Sequence, residues 1–387
     1  MASEPARTPL YEWHVANGGK MVDFAGWSMP THYTSIVQEH NATRGAVGMT
    51  DISHMGRLRF EGPGVAVFLA ELLTRRVADL GLGQIRYSLV TNDEGGILDD
   101  VLVGRYHNAY GQPYYVMVVN ASNRAKIVAW IERHLTPERA SRRGHEIVWN
   151  DISSIFAMFA IQGPRSAELI QPLVDVDLGL MKYYRGEQVR ILHPVAKRQG
   201  GLLSRTGYTG EDGFELVLGA DIAPAVWEKL LELGKPLGAV PTGIACRDTL
   251  RLEAGMPLYG HELSEQINPL QAGLSFACHL KGYNFPGRDA LVEIEKNPLP
   301  TVRIGLELSS RRVAREGAAI YAGDRRVGEV TSGTFSPTLE RPIAMGYIES
   351  EFSTPGTDLV VDIRGHRESA RIVPLPFYRR PTQGGTK

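Results

Sequence analysis

Two adjacent carboxylates, Asp99 and Asp100, stand in an otherwise apolar run from Ile97 to Val103. A buried carboxylate without a partner is costly, so each needs a donor, a cation, a ligand or water. One of them can serve as a fixed anion beside a developing positive charge. The pair can also be purely structural, one Asp capping a turn and the other meeting an Arg. A second stretch, SRTGYTGEDGFELVL from Ser204 to Leu218, sets Gly207, Gly210 and Gly213 at every third position ahead of Glu215. Backbone there can approach another group closely. It is not a phosphate loop, because no Gly-Lys-Ser/Thr follows and no helix begins. Gly81-Leu82-Gly83 is an isolated GxG and carries no nucleotide-binding signal. On composition alone Glu215 reads as a surface-facing strand residue. A third stretch, IACRDTLRLEAG from Ile244 to Gly255, reads as a helix with Arg247, Arg251 and Ala254 along one side. Taken alone, Arg247 there reads as half of a salt bridge.

These groups need elements to hold them. Ile85 to Val90 and Ile97 to Val103 read as two strands, joined through Thr91-Asn92-Asp93-Glu94-Gly95-Gly96. Strand alternation puts Ile97, Asp99, Val101 and Val103 on one face and Leu98, Asp100 and Leu102 on the other. Both faces carry aliphatic residues, so both are expected to be buried, and the pattern does not choose between the carboxylates. Tyr114 to Val119 is a strand whose end, Asn120-Ala121-Ser122-Asn123, can cap a helix over Arg124 to Leu135. Further helices are expected at Ser35 to Thr43, Pro63 to Leu72, Arg165 to Gln171, Ala223 to Leu233 and Asp289 to Lys296. A strand–helix–strand–strand–helix rhythm recurs, with a second round from Gln188 to Leu233, which suggests an α+β duplication. Asn297-Pro298-Leu299-Pro300 reads as a linker. Beyond Val302 only short strands with Gly-rich turns appear, the pattern of a small all-β barrel or sandwich.

Composition narrows the classes. The chain has 387 residues, enough for two or three domains. Lys plus Arg is 42 against 43 Asp plus Glu, so no global basic field points to nucleic acid. Cys246 and Cys278 are far apart and in no metal-like spacing, and no metal is expected. No apolar run is long enough to cross a bilayer, and MASEPARTPLYEW lacks an apolar signal core, so a cytoplasmic location is expected. The tail from Thr382 to Lys387 reads as frayed.

Several stretches, in order and over nearly the whole chain, resemble the glycine cleavage system T-protein family. They are LYEWHVANGGKMVDFAGWSMP (10–30), GMTDISHMG (48–56), YSLVTNDEGGILDDVLV (87–103), AIQGP (160–164), RTGYTGEDGFE (205–215), ACRDTLRLEAGMPLYGHEL (245–263) and SGTFSPTLERPIAMGYI (332–348). The two motifs around Glu215 and Arg247 are the specific ones. The resemblance implies an α+β fold. A folate-binding body over 1–285 would hold two ferredoxin-like subdomains, and an all-β barrel over 300–380 would complete three lobes around a central channel.

The implied activity is transfer of an aminomethyl carbon to tetrahydrofolate, giving 5,10-methylenetetrahydrofolate and ammonia. The donor is the dihydrolipoyl arm of a partner, the lipoyl-carrying H-protein. Carried over residue by residue, the second Asp of the pair, Asp100, is the catalytic one, an ionised group beside the reacting folate nitrogens. Asp99 is then structural. Glu215 reads the pterin, and Arg247 meets the ring carbonyl or the anionic tail. Tyr87 and Tyr208 line the folate channel, as do Met55 and Asn120. Animal members carry a Tyr after the last barrel strand. The matching position here, within Pro376-Phe377-Tyr378-Arg379-Arg380, is not a Tyr, and Tyr378, Arg379 or Arg380 is expected to meet the glutamyl tail instead. Two relatives of other function share the resemblance in part. One is a tetrahydrofolate-dependent demethylase of a methylated sulfur or nitrogen compound. The other is a non-catalytic folate binder that assists iron–sulfur assembly, whose Lys-Gly-Cys motif is replaced here by Lys281-Gly282-Tyr283.

Overall fold

The computed structural model describes residues 4–135, 146–196 and 199–381. The expected frayed tail lies outside them. Two larger sheets, of five and six strands, and a closed six-stranded barrel form three lobes, and Ala6–Arg7, Met21–Phe24 and Trp27–Pro30 make a further three-stranded sheet. The first sheet is built from Gly56–Glu61, then the helix Val65–Leu72, then the strands Ile85–Thr91, Ile97–His107 and Pro113–Val119, the helix Arg124–His134 and the strand Val148–Asp151. The second repeats that order. It runs from Phe156–Gln162 through the helix Ser166–Ile170, the strands Gly186–Arg190, Gly200–Ser204 and Gly213–Gly219, the helix Ala223–Gly234 and the strand Ala239–Thr242. The duplication therefore starts at Phe156, upstream of the Gln188 expected from the sequence. The repeats differ at one place, where Val47–Asp51 is inserted between Phe156–Gln162 and Ala239–Thr242.

Each repeat buries its helices on one sheet face. Phe68, Leu69, Ile127 and Ile131 pack on Val101, Val103 and Met117 in the first. Trp227, Leu230 and Leu169 pack on Phe159, Phe214 and Leu216 in the second. Residues 297–300 then lead into the barrel, whose strands run from Thr301–Leu308 to His366–Val373 around Ile304, Leu306, Val330, Ile348 and Val361. Closure leaves the barrel without a free strand edge.

The carboxylate strand departs from simple alternation at one residue. Val90 pairs with Asp99 and Thr91 with Ile97, so Leu98 is an extra, bulged residue. The bulge turns Leu98 onto the same core as Val101 and Val103. Ile97 instead joins Leu89, Leu263 and Leu274. The expectation of two buried faces fails on the other side. Asp100 and Leu102 are half-buried and border a cavity, because that face closes against the other lobes rather than a helix.

No helix among the described residues is long and apolar enough to cross a membrane.

Candidate active site

A cavity of about 900 Å³ lies where the three lobes meet. Its wall takes Tyr87, Asp100 and Asn120 from the first repeat, Thr206, Tyr208 and Glu215 from the second, and Arg303, Arg315 and Ser332 from the barrel. Met55, on the turn between Val47–Asp51 and Gly56–Glu61, and Arg247, on the helix Ile244–Glu253, complete it. The seven residues expected at the catalytic and folate-binding site, Asp100, Glu215, Arg247, Tyr87, Tyr208, Met55 and Asn120, thus border one space. A cavity of this size takes a drug-sized ligand.

Glu215 sits between Ala160 and Ser204 in the second sheet. It is only 6% exposed, so the surface-facing reading is wrong: this sheet face turns toward the cavity. Its Oε2 accepts the Thr206 hydroxyl at 2.5 Å, and Oε1 has no partner among the described residues. Burial pushes its pKa up, opposed by the Thr206 hydrogen bond and the charge of Arg247. The glycine-rich loop packs on protein. A Cβ on Gly207 or Gly213 would meet the Gln162 side chain at 1.9 Å and 2.6 Å. Gln162 donates to the carbonyls of Thr206 and Phe214, and Thr209 donates back to it at 3.1 Å. The AIQGP motif thereby locks the loop that precedes Glu215.

Arg247 and Arg251 lie one helical turn apart, and their fates differ. Arg251 carries the salt bridges that were expected of Arg247, to Glu262 at 2.7 Å and Asp248 at 2.8 Å, and donates to Ser332 on the barrel. The Arg247 guanidinium has no ion pair or hydrogen bond among the described residues. It lies 4.8 Å over the Tyr208 ring, and burial lowers its pKa while Glu215 and Tyr208 raise it. A cation held this way is available to an anionic or carbonyl ligand. Tyr208 donates its hydroxyl to the Pro257 carbonyl, which fixes the ring between Arg247 and the Asp100 side of the cavity.

Asp100 and Asp99 face opposite ways. Asp100 borders the cavity, where its Oδ2 accepts from Tyr87 at 3.2 Å and its Oδ1 from Asn120 at 2.7 Å. Asp99 is fully buried and accepts from the Asn120 backbone, the Asn120 amide and the Asn123 amide. Burial raises the pKa of both; for Asp99 the charge of Asp100 adds to it, and the Asn donors oppose it. Residues 120–123 do not cap the following helix through their side chains as the sequence suggested. The amide nitrogens of Asn120 and Asn123 donate instead to the carboxylates of the Asp pair.

Other wall residues gave no signal of their own. Thr206 becomes a carboxylate partner only through the strand register. Tyr184, held at φ 57°, and Phe276, stacked on Tyr87 at 6.0 Å, also border the cavity. His54, from the GMTDISHMG motif, lines it as a neutral ring. Burial pushes its pKa down to about 4, with Arg247 and Arg57 adding to the effect and Asp51 opposing it. Asp51, in the same motif, is buried against His14 at 2.9 Å and takes no part in the wall. The C-terminal residues offered for the folate tail are not among those that line the cavity. Tyr378 donates to Glu211 at 2.8 Å under Arg44, and Arg380 meets Asp212 at 3.4 Å. Arg303 and Arg315 are the barrel cations on the cavity wall.

Comparison with known proteins agrees with this architecture. Residues 10–282 match the model of the GCVT N-terminal domain, and residues 302–379 that of the glycine cleavage T-protein C-terminal barrel domain. An aminomethyltransferase of Streptomyces avermitilis is 45% identical over 385 residues, covering 98% of this chain and 99% of that protein. One of Symbiobacterium thermophilum is 43% identical over 377 residues, covering 97% and 98%. The crystal structure of the glycine cleavage system aminomethyltransferase T from Bartonella henselae superposes with a TM-score of 0.85 at 32% identity, covering 97% of this chain and 98% of that one. With both family models matched in order, a shared three-lobed fold and full-length relatives, the chain belongs to the glycine cleavage T-protein family, the aminomethyltransferases of the glycine cleavage system.

Proposed function

We propose that the cavity binds tetrahydrofolate with its pterin on Glu215 and Arg247 and its reacting nitrogens beside Asp100. The donor is the aminomethylated dihydrolipoyl arm of the H-protein, and the reaction takes place in the cytoplasm. One observation carries the reading. A buried carboxylate and an arginine, one with an oxygen and the other with a guanidinium that have no polar partner among the described residues, share one cavity with a half-buried Asp. A pterin edge offers an amino group and a ring N–H side by side, which the Glu215 carboxylate can accept together. Arg247 supplies the complementary donors for the ring carbonyl.

In the transfer the carbon–sulfur bond breaks and the sulfur leaves as the thiol. The carbon bonds to N5 and then N10 of folate, whose two N–H protons balance those taken up by the sulfur and by the nitrogen that leaves as ammonia. Asp100 stabilises the iminium character of the carbon between these steps. Its surroundings suit that task, since a carboxylate whose pKa burial has raised gains most when a cation arrives. The protein otherwise brings N5 and the carbon together, converting an encounter of two reactants into one within a single site. Domain boundaries near 1–285 and 300–380 go with the same reading: the body supplies Glu215, Arg247 and Asp100, and the barrel closes the channel.

The test is incubation with aminomethylated H-protein and tetrahydrofolate. Ammonia and methylenetetrahydrofolate should appear together in equal amounts. Release of a methyl group from a methylated sulfur or nitrogen compound, without ammonia, would instead indicate the demethylase reading.

A further inference from the structure

Asp99 makes no contact with the cavity, yet its three hydrogen bonds all come from the two asparagines next to it. Its Oδ1 accepts the Asn120 amide at 2.8 Å and the Asn123 amide at 2.7 Å, and its Oδ2 accepts the Asn120 backbone N–H at 3.0 Å. The Asn120 amide also donates to Asp100 Oδ1 at 2.7 Å and to the Asp100 carbonyl at 3.3 Å. Its Nδ2 thus faces both carboxylates. Turning the amide over would set its carbonyl oxygen against two carboxylate oxygens, so its orientation is fixed by the network. The oxygen left over, Oδ1, accepts nothing among the described residues, and Asn120 itself borders the cavity.

From this the geometry points to Asp99 as a positioning residue that, through Asn120, aims Asp100 and presents the Asn120 Oδ1 to the cavity as a second acceptor for the amino group of the donor. This rests on the aminomethyl-transfer reading and deepens it. An aminomethyl nitrogen carries N–H donors and meets two acceptors, one charged and one neutral. A bare methyl group offers no N–H to either, and filling the site with it would leave both unpaired. The Asp99–Asn120 clamp is therefore a specificity device for amine-bearing one-carbon donors, built behind the residue that touches the reacting atoms.

Replacing Asp99 by Asn leaves its shape and breaks the clamp. Whichever way the new amide turns, one of its N–H groups faces the Asn120 backbone N–H or the two asparagine amides, donor against donor. In the folded Asp99→Asn protein, kcat should fall by about 10²-fold, the scale of a roughly 1 Å misplacement of a reacting group. The KM for tetrahydrofolate should stay near that of the unaltered protein. Asn120→Ala should lose turnover on the same scale, and the double variant should be no slower than the slower single variant, because both changes remove one device. A merely structural Asp99 would lower the melting temperature and spare kcat, and its effect would multiply with that of Asn120→Ala. Undiminished kcat in folded Asp99→Asn overturns the inference, as does multiplication in the double variant. If Asp99→Asn does not fold, Asn120→Ala decides, and full turnover in that variant overturns the inference. Asp100→Asn run alongside separates the two levels. Lost turnover there with an unaffected Asp99→Asn defeats only the positioning role, whereas full turnover in Asp100→Asn defeats the reading on which it rests.

Discussion

Glu215 and Arg247 show what a single side chain owes to its surroundings. Neither spacing nor composition separates Glu215 from an ordinary surface Glu. The strand register does, by setting it between Ala160 and Ser204 on the face that meets the cavity. Glu215→Ala should weaken tetrahydrofolate binding by about 2–5 kcal/mol, the usual cost of removing one partner of a buried charged pair, while the fold survives. Direct titration of the purified variant checks this, and near-normal affinity would remove Glu215 from the pterin. Arg247→Lys keeps the charge and loses the planar fork, so affinity should still fall clearly. The specific motifs made both residues legible through family resemblance. Thr206 and Gln162 were not legible as partners, because their contacts arise only once separate strands lie side by side.

The strand Ile97–His107 carries both carboxylates of the pair, and its irregularity matters. Alternation correctly separates Asp99 from Asp100, and it fails at Leu98 because a bulge has no signature in an apolar run. The choice between the two carboxylates was not legible from the pattern, since aliphatic residues flank both. What distinguishes them is what each face meets, helices for Asp99 and the cavity for Asp100. Burial raises the pKa of both, so protonation of the pair should begin above the ordinary carboxylate range of about 4. A protonated Asp100 cannot stabilise a cation. The acid limb of kcat/KM should therefore lie above that range, with an apparent value belonging to the pair. Asn120→Ala removes a donor to both carboxylates and should move the limb to still higher pH. A pH–rate profile with no acid limb above pH ~4 would contradict the assignment. The loop from Thr206 to Gly213 depends likewise on one side chain. Gln162→Ala strands its buried partners and should cost about 1–3 kcal/mol of stability by denaturant titration.

Across the whole molecule, the lobes are tied by charge as well as packing. Glu253, at the end of the helix that carries Arg247, meets Arg44 at 2.7 Å and His40 at 3.2 Å, and accepts from Ser336 and Thr338 of the barrel lobe. Burial pushes its pKa up, but His40, Arg44 and Ser336 together pull it down to about 2. A depressed carboxylate contributes stability that is complete above its unfolded value and is lost as pH falls through the folded one. Between about 4.5 and about 2 the body–barrel contact should thus weaken with acid. Glu253→Gln should be less stable near neutrality and lose less on acidification, which melting curves at several pH values would show. An equal acid response in both proteins would mean the contact does not depend on this charge. The lobes themselves were legible, since the repeat and the change to short strands both follow from hydropathy patterns. Their meeting at one cavity was legible only through the family resemblance and not from the hydropathy patterns, because it depends on contacts between residues hundreds of positions apart.

The central claim is that Asp100 carries the chemistry while Glu215 and Arg247 hold the folate. The most direct measurement is turnover of Asp100→Asn with aminomethylated H-protein and tetrahydrofolate, with folate affinity measured on the same sample. The substitution keeps the shape and removes the charge. Turnover should fall by about 10²–10³-fold, the loss expected when one well-placed electrostatic group is removed, and folate affinity should change far less. Turnover equal to that of the unaltered protein, or a loss explained entirely by weaker folate binding, would contradict the account.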